Sequence, residues 1–104
     1  MTEAASRMNV SIEGSSVTVD GDIDAHGCPE LIAALDPLPG SGEVRVDLAG
    51  VGFMDSSGLR ALIGAHQRAE ATDRRLVIAQ PSSAVQRLIE ISGLGDHLHI
   101  SDES

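Results

Sequence analysis

Aromatic residues are nearly absent from this sequence, which has one Phe and neither Tyr nor Trp. Without aromatic side chains, a surface offers no platform on which nucleic-acid bases can stack, so sequence-tolerant binding of single strands is disfavoured. The hydrophobic core must then be built chiefly from Val, Ile, Leu and Ala.

Basic charge is also scarce. Lys is absent, all seven basic residues are Arg, and 16 acidic residues bring the formal net charge to −9. Such a surface repels phosphate backbones and anionic lipid headgroups, so we expect no direct nucleic-acid partner and no membrane partner. A protein with a basic surface is the partner that this charge favours.

Cysteine occurs once, and neither a long apolar run nor a secretory signal is visible in the sequence. Cys28 is the single cysteine, which excludes an internal disulfide, and no Cys/His pair has the spacing of a metal finger. Residues 1–9 are polar, and no apolar run approaches the roughly 20 residues of a membrane helix. We therefore expect a cytoplasmic protein with a flexible segment 1–9. Cys28 precedes Pro29 near a helix start, which can lower a thiol pKa, but it is interpreted as a small buried hydrophobic residue.

Alternation of apolar and polar residues predicts a series of short strands. Two alternating runs flank Gly14-Ser15, which is typical of a β-hairpin. The later strands are predicted from one alternating run and two short apolar ones. The predicted strands span residues 10–13, 16–20, 43–48, 74–79 and 97–100.

Three apolar stripes with helical spacing separate the later strands. Pro29 suits the first turn of the first helix, which ends before Pro37. Ser83 followed by Gln86 is a capping-box pattern, and Gly93 is suited to a left-handed helix end. The stripes consist of Leu31, Ile32 and Leu35, of Leu59, Leu62, Ile63 and His66, and of Val85, Leu88 and Ile89.

The resulting order is β-β-α-β-α-β-α-β, in a single α/β domain at residues 10–100 with an acidic tail at 101–104. Crossovers between parallel strands are right-handed almost without exception. The alternation in residues 43–48 leaves one face of the sheet wetter than the other. We therefore expect a mixed sheet of four or five strands with the helices mainly on one face.

One segment is specific enough to suggest a family. Phe53-Met54-Asp55-Ser56-Ser57-Gly58-Leu59 follows a predicted strand and leads into a predicted helix. This arrangement resembles the STAS domain and, within that family, the bacterial anti-sigma-factor antagonists. Gly21-Asp22-Ile23-Asp24 is similar to the family's Gly-Glu-Leu-Asp turn. Val85-Gln86-Arg87-Leu88 with Ser92-Gly93-Leu94 is similar to its last helix and exit, so the resemblance covers about residues 10–100.

The resemblance implies a small STAS-type fold and a cycle of partner switching. The unphosphorylated antagonist binds an anti-sigma factor that has serine kinase activity, and the sigma factor is released. The kinase phosphorylates the second serine of the motif, here Ser57, and the interaction ends until a serine phosphatase resets it. The partner-binding residues that the resemblance implies are Asp24, Asp55, Ser56, Ser57, Gly58 and Leu59.

The resemblance implies no cofactor. Relatives commonly carry a further helix after the last strand, and this sequence stops about where that helix would begin. We therefore expect a weak homodimer at most.

The physical setting of Ser57 agrees with this role. At a helix start, free backbone N–H groups and the helix dipole favour an anion. A phosphate adds about −1.5 to −2 charge, and an interface beside Asp55 would then have to desolvate two anions. Gly58 lacks a Cβ and is expected to leave room for a nucleotide phosphate. Some alternatives stay open. Ser57 is either the phosphorylated residue or only an N-cap, and Ser56 can cap the helix while Ser57 reacts. Asp55 is either a partner contact or only a first-turn acid.

No catalytic or metal-binding residue is predicted. His66 lies about 13.5 Å from Ser57 along the same helix, too far to be its base. No Gly-x-Ser-x-Gly elbow, P-loop or His-Glu-x-x-His motif occurs. His97 and His99 are predicted to share one face of the last strand, and two histidines without a third ligand are interpreted as surface residues.

Three other functions are weighed against the antagonist. The main alternative is a STAS subunit that docks on a lipid-transport ABC ATPase without a phosphorylation cycle, in which the second serine is usually replaced. A hydrolase that uses Ser57 and a small nucleotide-binding module are both disfavoured.

Overall fold

The computed structural model describes residues 8–38 and 40–101. The predicted order β-β-α-β-α-β-α-β is confirmed, with one added 3₁₀ turn before the last strand. The elements are β1 (Met8–Glu13), β2 (Ser16–Ile23), α1 (Cys28–Leu35), β3 (Val44–Met54), α2 (Ser56–Ala71), β4 (Leu76–Ala79), α3 (Ser83–Ser92), the 3₁₀ turn (Gly95–His97) and β5 (His99–Ser101).

The five strands form one mixed sheet in the order β1-β2-β3-β4-β5. β1 pairs antiparallel with β2, and the other three pairings are parallel. Because each parallel crossover moves one strand further in the same direction, right-handed connections bring all three helices to one face. Along the first half of β3, Val44, Val46 and Leu48 are fully buried while Arg45 and Asp47 stay partly exposed. The expected mixed sheet with helices on one face is therefore confirmed.

The hairpin turns at Gly14-Ser15, as predicted, with Gly14 at a positive φ of 61°. β1 begins earlier than its alternation suggested. Met8 is buried and pairs with Gly21 across the hairpin. Of the segment expected to be flexible, residues 8–9 thus belong to the sheet, and residues 1–7 lie outside those described.

β2 and β3 both extend further than predicted. The strand break expected at Gly21 does not occur, because β2 runs on to Ile23, and β3 continues past Leu48 to Met54. The pairing of β2 with β3 shifts register twice on the way. Such irregularities absorb extra residues and bend a strand without ending it. The two strands therefore finish together, with Ile23 opposite Met54.

The cap of α3 is one residue away from its predicted position. The N-cap is Ser82, whose hydroxyl accepts a hydrogen bond from the Val85 N–H at 3.3 Å, and not Ser83. The Ser82 N–H donates to the Leu48 carbonyl at 3.2 Å, which ties the helix start to β3. The predicted left-handed end is confirmed, since Gly93 has φ 72°.

The end of the chain differs from the sequence prediction. His97 belongs to the 3₁₀ turn, where its N–H donates to the Leu94 carbonyl at 3.0 Å. The prediction that His97 and His99 share a strand face was therefore wrong. Ser101 closes β5, and the rest of the predicted acidic tail, 102–104, lies outside the described residues.

The core between sheet and helices is built mainly from Val, Ile, Leu and Ala, as the composition required. Cys28 is a free, buried thiol within it, as predicted. Phe53, the single aromatic residue, stays 49% exposed. Among the described helices, none combines the length and hydropathy needed to cross a membrane.

Candidate functional site

The candidate site lies where β2 and β3 end side by side. Ile23 and Met54 are paired, so the next residues, Asp24 and Asp55, leave the sheet at the same edge. The Asp55 N–H donates to the Ile23 carbonyl at 3.1 Å and fixes this arrangement. In open α/β sheets, ligands bind beyond the carboxyl ends of the strands. The fold thus brings together two acidic residues that are 31 positions apart in the sequence.

Asp55 is the N-cap of α2. Its backbone is extended, at φ −105° and ψ −176°, and its Oδ1 accepts hydrogen bonds from the Ser57 N–H at 2.9 Å and the Gly58 N–H at 3.3 Å. A carboxylate in this position satisfies two of the four backbone donors that a helix start leaves unpaired. The interpretations in which Ser56 or Ser57 caps the helix were therefore wrong, since both residues lie within the helix.

Ser57 occupies the first turn of α2 and is partly exposed, whereas Ser56 is exposed. Within residues 8–38 and 40–101, no group hydrogen-bonds the Ser57 hydroxyl. The expected free N–H groups around it are not available, because Asp55 already accepts from those of Ser57 and Gly58. The helix dipole still favours an anion on Ser57. That anion would, however, lie beside the Asp55 carboxylate, which already accepts the nearest N–H hydrogen bonds.

Ser57 faces a groove of about 450 Å³ between α1 and α2. Cys28 and the exposed Ile32 line the side of α1, and Arg60 and Arg68 line the side of α2. Arg60 follows Ser57 by three residues, a spacing that puts two side chains on neighbouring turns of one helix face. Sequence reasoning missed Arg60, although this spacing from Ser57 was the available signal.

Asp24 stabilises the turn that leads into α1. Its Oδ1 accepts a hydrogen bond from the Gly27 N–H at 3.0 Å, and its carbonyl accepts from the Gly27 and Cys28 N–H groups at 3.1 and 3.0 Å. The side chain is partly exposed. Asp24 was predicted to dock the partner and not to hold the fold, but this geometry gives it a local structural role as well.

Gly58 and Leu59 are buried behind the loop. A Cβ on Gly58 would lie 2.6 Å from Ile23 Cγ2 and 2.9 Å from Met54 Cγ, closer than packed carbon atoms approach. Glycine is thus required so that the first turn of α2 can pack on the ends of β2 and β3. The expectation that Gly58 leaves room for a nucleotide phosphate was wrong, because the missing Cβ points into the core.

Cys28 lies near both acidic residues of the site. Burial raises the pKa of its thiol, and the nearby carboxylates of Asp55 and then Asp24 raise it further. Each of these effects disfavours the thiolate. Although Cys28 lines the groove with Ser57, it is suited to packing and not to nucleophilic chemistry.

A second groove, of about 510 Å³, lies on the α3 side of the same loop. Phe53, two residues before Asp55, and Ile91, 76% exposed on α3, line it together with Arg87. Large apolar side chains clustered at a surface are typical of protein-binding sites. The sequence motif contained Phe53, but nothing in it indicated that this side chain faces solvent.

A cluster of side chains that could bind a metal lies at the other end of α2. His66, Glu70 and His99 each offer a ligand atom, and these atoms lie within 4.8 Å of one another. Because His66 is nine residues along the helix from Ser57, the cluster is about 13.5 Å from the candidate site. The pair considered from the sequence was His97 and His99, whereas the fold brings His99 to His66 and Glu70.

Comparisons with known proteins agree with this geometry. A family model described as "Mlab, STAS domain" matches residues 8–100. The chain is 35% identical over 103 residues to the anti-sigma-B factor antagonist of Staphylococcus epidermidis, covering 91% of this chain and 95% of that protein.

Two solved structures share the fold. The chain aligns with an anti-sigma factor antagonist from Mycobacterium paratuberculosis at a TM-score of 0.76 and 22% identity, covering 92% of this chain and 85% of the other. It aligns with the Bacillus cell fate determinant SpoIIAA in its phosphorylated form at a TM-score of 0.64 and 21% identity, covering 92% of both chains. The protein belongs to the STAS-domain family, and its relatives there include the anti-sigma-B factor antagonist of Staphylococcus epidermidis.

Proposed function

We propose that this protein is an anti-sigma-factor antagonist whose binding is switched by phosphorylation of Ser57. In its unphosphorylated form it binds an anti-sigma factor with serine kinase activity, and the sigma factor is released. The same partner phosphorylates Ser57 and then dissociates. A serine phosphatase removes the phosphate and restores binding.

The observation that carries the proposal is the position of Ser57 beside Asp55. The hydroxyl is partly exposed at the helix start, and the Asp55 carboxylate is hydrogen-bonded to the Ser57 N–H at 2.9 Å. A phosphate here adds about −1.5 to −2 charge next to an existing anion. A partner that covers the loop would have to desolvate both groups together, and burying uncompensated charge is costly.

The same phosphate is tolerable in the free protein. Ser57 stays open to water, so the repulsion from Asp55 is screened. Arg60 lines the same groove and supplies a cation that a phosphate can pair with. Phosphorylation should therefore reduce binding strongly while leaving the fold intact.

The proposed docking surface surrounds the loop. Asp24 and Ser56 contribute polar contacts, Phe53 contributes the exposed aromatic ring, and Asp55 and Ser57 form the centre. Gly58 and Leu59 are buried and contribute indirectly, because they hold the first turn of α2 against the sheet. The net charge of −9 favours a partner with a basic face.

Phosphorylation coupled to binding tests this proposal. The protein is used to capture partners from a lysate of its source organism, and the captured kinase is then incubated with the protein and ATP. We expect one added phosphate per chain, mapped to Ser57, and release of the captured kinase. Capture of a transport ATPase with no phosphorylation would instead favour the alternative role of a docking subunit.

A further inference from the structure

His66 is a buried side chain whose polar atoms lack a hydrogen bond. Its side chain is only 10% exposed, and its Nδ1 has no hydrogen-bond partner among the described residues. Its Nε2 lies 3.6 Å from Glu70 Oε2, which is too long for a hydrogen bond. Buried polar groups in folded proteins almost always have a partner, so this imidazole needs an explanation.

Two further side chains that can bind a metal, Glu70 and His99, lie next to His66. His99 Nε2 lies 3.2 Å from the same Glu70 Oε2. The Nε2 atoms of the two histidines therefore lie close to one carboxylate oxygen. The two rings are in edge contact, with centroids 4.9 Å apart and planes at 65°. Glu70 and His66 are four residues apart and share one face of α2, and β5 brings His99 to them from 29 residues further along the chain.

We propose that His66, Glu70 and His99 form a zinc-binding site that joins α2 to β5. Zinc binds imidazole nitrogen at about 2.0–2.1 Å and carboxylate oxygen at about 2.0–2.2 Å, usually in a tetrahedron. Ligand atoms in such a tetrahedron lie about 3.3 Å apart. The separations of 3.2 and 3.6 Å between Glu70 Oε2 and the two Nε2 atoms are close to this spacing, and the three ligand atoms all lie within 4.8 Å of one another. Coordination gives the Nε2 of His66, which lies 3.6 Å from Glu70 Oε2, a partner, while the buried Nδ1 has none among the described residues.

The donor set favours zinc over the common alkaline-earth ions. Calcium and magnesium prefer six or more oxygen ligands, whereas imidazole suits zinc and related transition metals. Two histidines and one glutamate leave the fourth position of the tetrahedron to water. Glu70 and His99 are 54% and 40% exposed, which gives an ion access from solvent.

The location of the cluster indicates a structural effect. β5 has three residues and forms the edge of the sheet next to β4. A metal bonded to His99 on β5 and to two residues of α2 would hold this short strand in place. Binding energy that requires the folded geometry stabilises the fold by linkage.

Direct zinc binding tests the site, with the histidine-tag-free chain stripped of metal and titrated with ZnCl₂ by calorimetry. We expect one zinc per chain, and no binding of magnesium at the same concentration. At a zinc concentration about 100 times the Kd, the Tm should rise by about 10 °C or more. The matched variants are His99→Gln and Glu70→Gln, each of which removes one ligand. The control is His97→Gln, which removes an exposed histidine two residues from His99.

We expect at least a tenfold loss of affinity in His99→Gln and Glu70→Gln, with no zinc-dependent rise in Tm, and wild-type behaviour in His97→Gln. His66→Gln should lose zinc as well. If this buried substitution impairs folding, the variants of the two more exposed ligands, His99→Gln and Glu70→Gln, still test the site. Equal zinc binding in all variants, or loss in His97→Gln alone, would overturn the site. Because no kinase or phosphatase takes part, this result is independent of the proposed switch.

Discussion

The carboxylate of Asp55 is hydrogen-bonded to the backbone N–H of Ser57, the residue two positions further along the chain, at 2.9 Å. One side chain therefore holds the start of α2 and sets the electrostatic surroundings of the serine. The Asp55 N–H is in turn bonded to the Ile23 carbonyl at 3.1 Å, so the cap is anchored to the sheet. This cap fixes the backbone of Ser57 relative to the sheet, while the hydroxyl itself makes no hydrogen bond among the described residues.

Substitutions at Asp55 should distinguish the effect of its capping hydrogen bonds on stability from the effect of its charge. Asp55→Asn keeps an oxygen acceptor for the two N–H groups and should leave stability nearly unchanged, because Asn and Asp cap equally well. Asp55→Ala removes both hydrogen bonds and should lower the free energy of unfolding by about 1 kcal/mol. Urea denaturation followed by circular dichroism measures both. Equal losses in the two variants would mean that the charge, and not the hydrogen bonds, stabilises the helix start.

Replacing Gly58 should be damaging although alanine favours helices. Gly58→Ala forces a methyl group to within 2.6 Å of Ile23 Cγ2, and overpacking of this kind typically costs about 1–3 kcal/mol. Gly64→Ala is the matched control, since its nearest contact is the end of Arg68 at 3.7 Å. That variant should be stabilised by up to about 1 kcal/mol, the difference in helix propensity. A Gly58→Ala variant as stable as wild type would contradict the proposed close packing.

Substitutions at Asp24 should distinguish its proposed role in partner binding from its role in stabilising the turn before α1. Asp24→Asn retains an acceptor for the Gly27 N–H, so its stability should match wild type while its affinity for the anti-sigma factor falls. Asp24→Ala should lose affinity and also up to about 1 kcal/mol of stability. Binding by Asp24→Asn with wild-type affinity would restrict Asp24 to a structural role.

The thiol of Cys28 should make stability depend on alkaline pH. Burial and the neighbouring carboxylates raise its pKa in the folded state, so between the unfolded and folded pKa values only the unfolded chain is ionised. Stability is therefore complete below the pKa of the unfolded thiol and declines as pH rises through the folded pKa. The sequence has no Lys or Tyr to titrate in this range. Urea midpoints measured against pH should fall in wild type and stay flat in Cys28→Ala, and equal slopes in both would contradict the assignment.

The elements that could be predicted from the sequence depend on short-range patterns. The hairpin turn at Gly14-Ser15 and the helix end at Gly93 need a backbone conformation that glycine adopts easily. The stripe on α2 has the helical period and faces the core, including His66. The order of elements, and with it the face that the helices cover, followed from these local signals and from crossover handedness.

The features that could not be predicted depend on tertiary contacts. Asp55 and Ser56 both suit an N-cap, and the hydrogen bond from the Asp55 N–H to β2 decides between them. The inward direction of Gly58 follows from the packing of Ile23 and Met54 on the helix. The metal-binding cluster joins residues 29 positions apart, so no local period could indicate it. The bulged pairing that extends β2 also lies in a polar, glycine-containing stretch that resembles a loop.

Ser57 and Ser56 should behave differently despite being neighbours. Ser57→Ala should bind the anti-sigma factor with about wild-type affinity and accept no phosphate, which would keep the sigma factor released. Ser57→Asp should fold normally but bind at least several-fold more weakly, because a carboxylate supplies part of the charge of a phosphate. Ser56→Ala is the matched control: Ser56 is exposed and makes no cap, so the protein should remain stable, lose at most the affinity of one polar contact and still be phosphorylated at Ser57.

A second comparison places the same negative charge at either Ser56 or Ser57. Ser56→Asp carries the same charge as Ser57→Asp, but its side chain starts from an exposed site and not from the groove between α1 and α2. We expect Ser56→Asp to weaken binding less than Ser57→Asp, as measured by calorimetry with the purified kinase. Peptide mass spectrometry after incubation with ATP identifies the modified residue. Phosphate on Ser56 alone, or full affinity in Ser57→Asp, would refute the switch, whereas neither result would affect the fold or the zinc site.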